Sequence, residues 1–149
     1  LRVLDLVVEG PCRSNPPPPA KTEVVSTYVP CPLTQTVYDE PPKDPNADPF
    51  GLGQWYVNAD RTMWAGWEAT SITGQQRKKV MWIRPNGSHL EIRGQRFDGD
   101  SAPLSVTIGG GYRTGFEPTR LFFPTPGCWE VTASAGDASL TFVTLVTKG

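Results

Sequence analysis

Prolines and glycines interrupt this chain so often that no long helix can form, and that constrains its fold more than any other feature. There are 16 prolines and 15 glycines among 149 residues. In a helix interior a proline costs ~3 kcal/mol and a glycine ~1 kcal/mol. The two are distributed differently. Residues 1–50 hold 11 of the prolines, including Pro16 to Pro19 and the pair Pro41-Pro42, whereas residues 51–149 hold all 5 tryptophans. The first third therefore reads as an extended, partly polyproline arm and the remainder as a packed body.

Two runs in the arm have strand character. Residues 1–9 (LRVLDLVVE) carry Leu1, Val3, Leu4, Leu6, Val7 and Val8 and stop at Gly10-Pro11. Residues 22–29 (TEVVSTYV) stop at Pro30-Cys31-Pro32. Residues 41–50 read as loop, because their prolines deny a sheet its donors. In the body, strands are expected near residues 53–58, 62–69, 79–84, 89–97, 104–108, 120–123, 128–134 and 139–147. The turns between them include Asn58-Ala59-Asp60, Pro85-Asn86-Gly87, Asp98-Gly99-Asp100, Gly109-Gly110-Gly111 and Gly136-Asp137. Such spacing without a helical period suits an all-β fold, an antiparallel β-sandwich. Gly94, inside one strand, is expected to mark a bulge or a close backbone approach. The last hairpin is the clearest element. Trp129, Val131 and Ala133 alternate with Cys128, Glu130 and Thr132, and Leu140 and Phe142 flank Thr141, which gives two strands with one buried face.

The stretch FPTPGCWEVTASAGDASLTFVTLV, Phe123 to Val146, resembles the C-terminal signature of a family of secreted or lipid-anchored bacterial proteins of uncharacterised function. Cys31-Pro32-Leu33-Thr34, the WYxNxxxxxWxG stretch around Trp64, and Gly94-Gln95-Arg96-Phe97-Asp98-Gly99 are similar to its other marks. The final hairpin also resembles the last two strands of bacterial immunoglobulin-like domains. The resemblance implies an exported immunoglobulin-like sandwich over residues 31–149, with residues 1–30 as an extension, and it brings no catalytic residues.

Hydrophobic residues make up 38% and charged residues 19%, too apolar a balance for a disordered chain. A net charge of −1 gives no general pull on nucleic acid or anionic membrane. No apolar run approaches the ~20 residues of a transmembrane helix. The 3 cysteines show no CxxC spacing, which argues against a zinc ribbon or thioredoxin-type site. Cys31 occupies a proline-flanked corner and Cys128 the corner before the last hairpin, and the expected disulfide joins them. Cys12–Cys31 is the competing pairing, and two buried free thiols are the bland alternative. A bridge and a chain that starts at Leu1 without a methionine lead us to expect an exported protein, extracellular or in the cell envelope.

Several residue groups were weighed as sites. Asp44, Asn46 and Asp48 have the D-x-N-x-D spacing of a calcium loop, but Pro49 stands where such loops need glycine and Trp55 where they need a bidentate carboxylate. A proline-punctuated turn is the expectation there, with no metal or cofactor. Trp55, Trp64 and Trp67 offer a platform for the ring faces of a polysaccharide, set against packing in the core. Trp64 and Trp67 are three apart and so face opposite sides of a strand. His89 follows the turn Asn86-Gly87-Ser88, where a solvated histidine rather than a catalytic base is expected. Arg77-Lys78-Lys79 reads as a solvated edge rather than a nucleic-acid patch. The expected protein is thus a non-enzymatic structural or interaction module. Its arm adds residues 1–9 either to its own sandwich or, by strand donation, to a second copy, with the polyproline run as stiff spacer. The second mode builds a self-associating surface filament.

Overall fold

Branched and aromatic residues alternating between turn formers produce eight described strands. The structure, a computed structural model, describes residues 30–39, 41, 54–67, 76–109 and 115–148, and of Trp67 only the backbone. The strands are β1 (Tyr56–Val57), β2 (Trp64–Trp67), β3 (Arg77–Ile83), β4 (Leu90–Arg96), β5 (Ser105–Ile108), β6 (Phe116–Phe122), β7 (Gly127–Ala135) and β8 (Ala138–Val146). No helix occurs among the described residues. The strands form a five-stranded sheet ordered β1-β2-β3-β6-β5 and a three-stranded sheet ordered β4-β7-β8, with every pairing antiparallel.

The two sheets pack face to face as an all-β sandwich. Alternation along β7 and β8 puts Trp129, Val131 and Ala133, with Leu140, Phe142 and Val146, into one core with Val80, Trp82 and Leu121 of the larger sheet. Tyr56 stacks on Phe142 across the two layers, ring centroids 4.1 Å apart and planes within 4°. The indole Nε1 of Trp82 donates to Thr119 Oγ1 at 2.8 Å, and that hydroxyl donates to the Val80 carbonyl at 3.2 Å. The polar atom of a buried aromatic is thereby satisfied.

Two expectations are corrected and a third, which left two readings open, is resolved to one of them. The strand placed at residues 120–123 begins at Phe116 and runs through Pro118. The Pro118 carbonyl accepts from Gly109 N–H at 3.4 Å, on the side toward β5, and the N and O of one strand residue point the same way. Its missing donor therefore faces the gap where β5 has ended at Ile108, and no bond to β3 is lost. Secondly, Arg77-Lys78-Lys79 is no edge, for it opens β3, which lies between β2 and β6. Alternation sends Arg77 and Lys79 outward and turns Lys78 toward the sandwich interior, where desolvation lowers its pKa. Thirdly, Gly94 makes no bulge, since β4 and β7 pair without a break. It is a close approach instead: a Cβ there would meet Leu104 Cδ2 at 3.0 Å and the Glu130 carbonyl at 3.2 Å.

The strand and polyproline run of residues 1–29, Cys12, and the calcium-like spacing of Asp44, Asn46 and Asp48 lie outside the described residues.

Candidate interaction surface

Residues 30–39 form a strap that ties the two sheets together at their edges. Pro30 and Pro32 flank Cys31, whose sulfur is bonded to Cys128 with Cα atoms 5.5 Å apart and 97 residues of separation. Trp129 faces the core, so Cys128 beside it faces out, and the bridge pins the strap to the outer side of β7. Further along, Thr34 N–H donates to the Val143 carbonyl at 3.1 Å, and Thr34 Oγ1 accepts from Val143 N–H at 2.8 Å. Both backbone groups that Val143 turns away from β7 are thus occupied. The strap then reaches the other sheet, where Val37 and Trp55 exchange two backbone hydrogen bonds of 2.7 and 2.9 Å. A side-chain bond from Asn58 Nδ2 to the Ser139 carbonyl, 3.0 Å, closes the same side.

Under the strap lies a second, smaller core on the outer face of the five-stranded sheet. Trp55, Trp64, Met81 and Phe116 form it, with Val37 of the strap packed against them. Trp55 meets Trp64 edge-on at 6.4 Å. Trp64 Nε1 donates to the Arg61 carbonyl at 3.1 Å, and Arg61 lays its guanidinium 4.8 Å above the Trp64 ring and pairs with Asp39 at 2.7 Å. Trp55 is 7% exposed and Trp64 2%, so neither offers a ring to a sugar. The sugar-platform expectation fails at these two positions because the strap covers the sheet face that the strand period gave to Trp64.

A polar node fixes the β7 end of the disulfide. Asp98 Oδ1 accepts from Arg96 Nε at 2.7 Å and from Cys128 N–H at 3.0 Å. Desolvation pushes the Asp98 carboxyl up, but the hydrogen bonds from Arg96 and Cys128 and the Arg96 charge together outweigh it and hold the pKa below the usual carboxylate range. Gly127, with φ of 143°, is required here, since a Cβ would fall 2.2 Å from Arg96 Nε. This node escaped the sequence reading, which treated Asp98-Gly99-Asp100 only as a turn. The available signal was Arg96, two residues before Asp98 and on the same side of the strand.

Around the bridge the surface is apolar. Leu145, the cross-strand partner of Cys128, is 49% exposed, and Leu33, two residues from Cys31, is 57% exposed. Strand β8 is an edge strand of nine residues, ASLTFVTLV, with neither charge nor proline. Natural edges usually carry such guards against pairing. The catalytic candidates do not converge. His89 is exposed and stands 3.9 Å from the equally exposed Glu91. No group of three metal-ligating side chains occurs among the described residues. Among the described residues the structure brings together both the two cysteines of the expected disulfide and the pair Trp55 and Trp64, and the side chain of Trp67 lies outside the description. No family model, no curated protein and no solved structure matches the chain.

Proposed function

We propose that this chain is an exported, non-enzymatic structural or interaction module of immunoglobulin-like topology, whose arm donates residues 1–9 to a neighbouring copy and so builds a surface filament. The observation that carries this reading is the Cys31–Cys128 bridge. It joins the root of the arm covalently to β7, beside the uncharged edge strand β8, so that tension on the arm bypasses the chain between the two cysteines. Disulfides persist in oxidising compartments, which supports export.

Strand order supports the topology. With the additional edge strand β1 set aside and the rest lettered in chain order from β2 to β8, the sheets read A-B-E-D and C-F-G, an order that matches constant-type immunoglobulin domains. The bridge departs from that pattern, since it ties a strap to the outside of one sheet instead of joining two sheets through the core. Exposed Leu33 and Leu145, with the stretches of the uncharged β8 edge on either side of the Val143 that Thr34 covers, supply a surface on which an apolar strand gains area and hydrogen bonds. Deleting residues 1–10 tests the reading. The expected product is a folded monomer by circular dichroism and light scattering, whereas the full chain forms larger, elongated particles. Equal particle size for the two proteins overturns it.

A further inference from the structure

The outer face of the five-stranded sheet has two halves, and only one of them lies against the strap. The half toward Phe116 is the small core described above. The other half is a grid of two rows across β3, β6 and β5. One row is Arg77, Phe122 and Ser105, and the next is Lys79, Arg120 and Thr107. All six point away from the main core, because their strand neighbours Val80 and Leu121 belong to it and Val106 packs against it. Five of the six are exposed and Lys79 is half-buried.

Lys79 stands directly opposite Arg120. Two residues back along β3, the Arg77 guanidinium lies 4.8 Å above the Phe122 ring. A stacked guanidinium is held flat and keeps its in-plane donors for a carboxylate or sulfate. No ion pair of Arg77 or Arg120 occurs among the described residues. The net charge of the chain is −1, so this is a local concentration of positive charge and not a feature of the whole surface.

We propose that this grid binds an acidic polysaccharide. Arg77 and Arg120 meet its repeated anionic groups, Phe122 meets an apolar ring face, and Ser105 and Thr107 meet its hydroxyls. The rows are about 7 Å apart and the strands about 4.8 Å, a rigid lattice that fits a repeating polymer better than a single small anion. A disulfide-bonded protein works where acidic sugar polymers are the common polyanions. Nucleic acid is the weaker fit, since two cations on a chain of net negative charge make a poor electrostatic footprint. The site is independent of the arm and of the assembly reading.

Binding of the full chain to dextran sulfate, polygalacturonate, neutral dextran and a single-stranded oligonucleotide, at about 50 mM salt, tests this. The two acidic polysaccharides separate sulfate from carboxylate recognition, and binding to either one supports the proposal. Arg77→Thr/Arg120→Thr is expected to weaken that binding by about tenfold per lost charge contact and to lower its salt dependence. Arg120→Gln is the milder variant should the double one fold poorly. Arg93→Thr, which removes an exposed cation from β4 on the other sheet, is expected to bind as the parent does. No binding to either acidic polysaccharide, equal loss with Arg93→Thr, or an oligonucleotide affinity as high as that for the polysaccharides overturns the proposal.

Discussion

At Asp98 the cost of desolvating a carboxylate opposes the gain from two donors, and the donors win. Because the folded pKa is depressed, the resulting stability is fully present above the unfolded value of about 3.9 and is lost as pH falls through the folded value. Urea unfolding between about pH 2 and pH 6 is therefore expected to show a steeper acid loss for the parent than for Asp98→Asn. Parallel curves for the two would refute this account. A second residue-scale contest lies at the opposite end of the sandwich, where Arg84 and Glu117 are both buried and pair at 2.9 Å. Breaking such a pair from one side leaves a buried charge and costs about 3–5 kcal/mol, while replacing both members with apolar residues is often neutral. Arg84→Met alone is thus expected to destabilise strongly and Arg84→Met/Glu117→Leu to recover most of the loss in denaturant melts. A double variant no more stable than the single one would show that the pair holds the fold through geometry rather than mutual charge.

Among the elements, the strap does work that no strand does. It satisfies both free backbone groups of Val143 through the one residue Thr34. Thr34→Ala keeps the backbone bond but removes the acceptor of Val143 N–H, with an expected loss of about 1 kcal/mol. Amide exchange at Val143 should then quicken while that of Val131, in the middle of the smaller sheet, stays slow. The strands themselves were legible because their period of two is local: the last hairpin was expected from alternation alone, and its register puts Trp129, Val131 and Phe142 inside as that alternation requires. Legibility failed where a neighbour decided the outcome. Pro118 sits within a strand because β5 stops one residue short of it, and three consecutive basic residues open a central strand because β2 and β6 flank them. Neither fact has a signature in the residues concerned.

For the molecule as a whole, the disulfide closes most of the described chain into one covalent loop. In the loop-entropy model a closure across 97 residues contributes about 4 kcal/mol. Cys31→Ser/Cys128→Ser is accordingly expected to unfold at markedly lower urea, with its strap cleaved first in limited proteolysis. An unchanged midpoint would mean that the strap is held by Thr34 and Val37 without the bridge. The chain sequence by itself determined the class of fold, because breakers forbid long helices and alternation specifies half-buried strands whatever lies around them. It also marked Cys31 and Cys128, since a proline-flanked corner and the corner before a hairpin are local features. Only tertiary structure decided which tryptophans are covered, which basic residues gather on one sheet face, and which edge the strap pairs with. Those are properties of pairs of elements far apart in the chain, set by how two sheets and a strap close on one another, and no run of neighbouring residues encodes them.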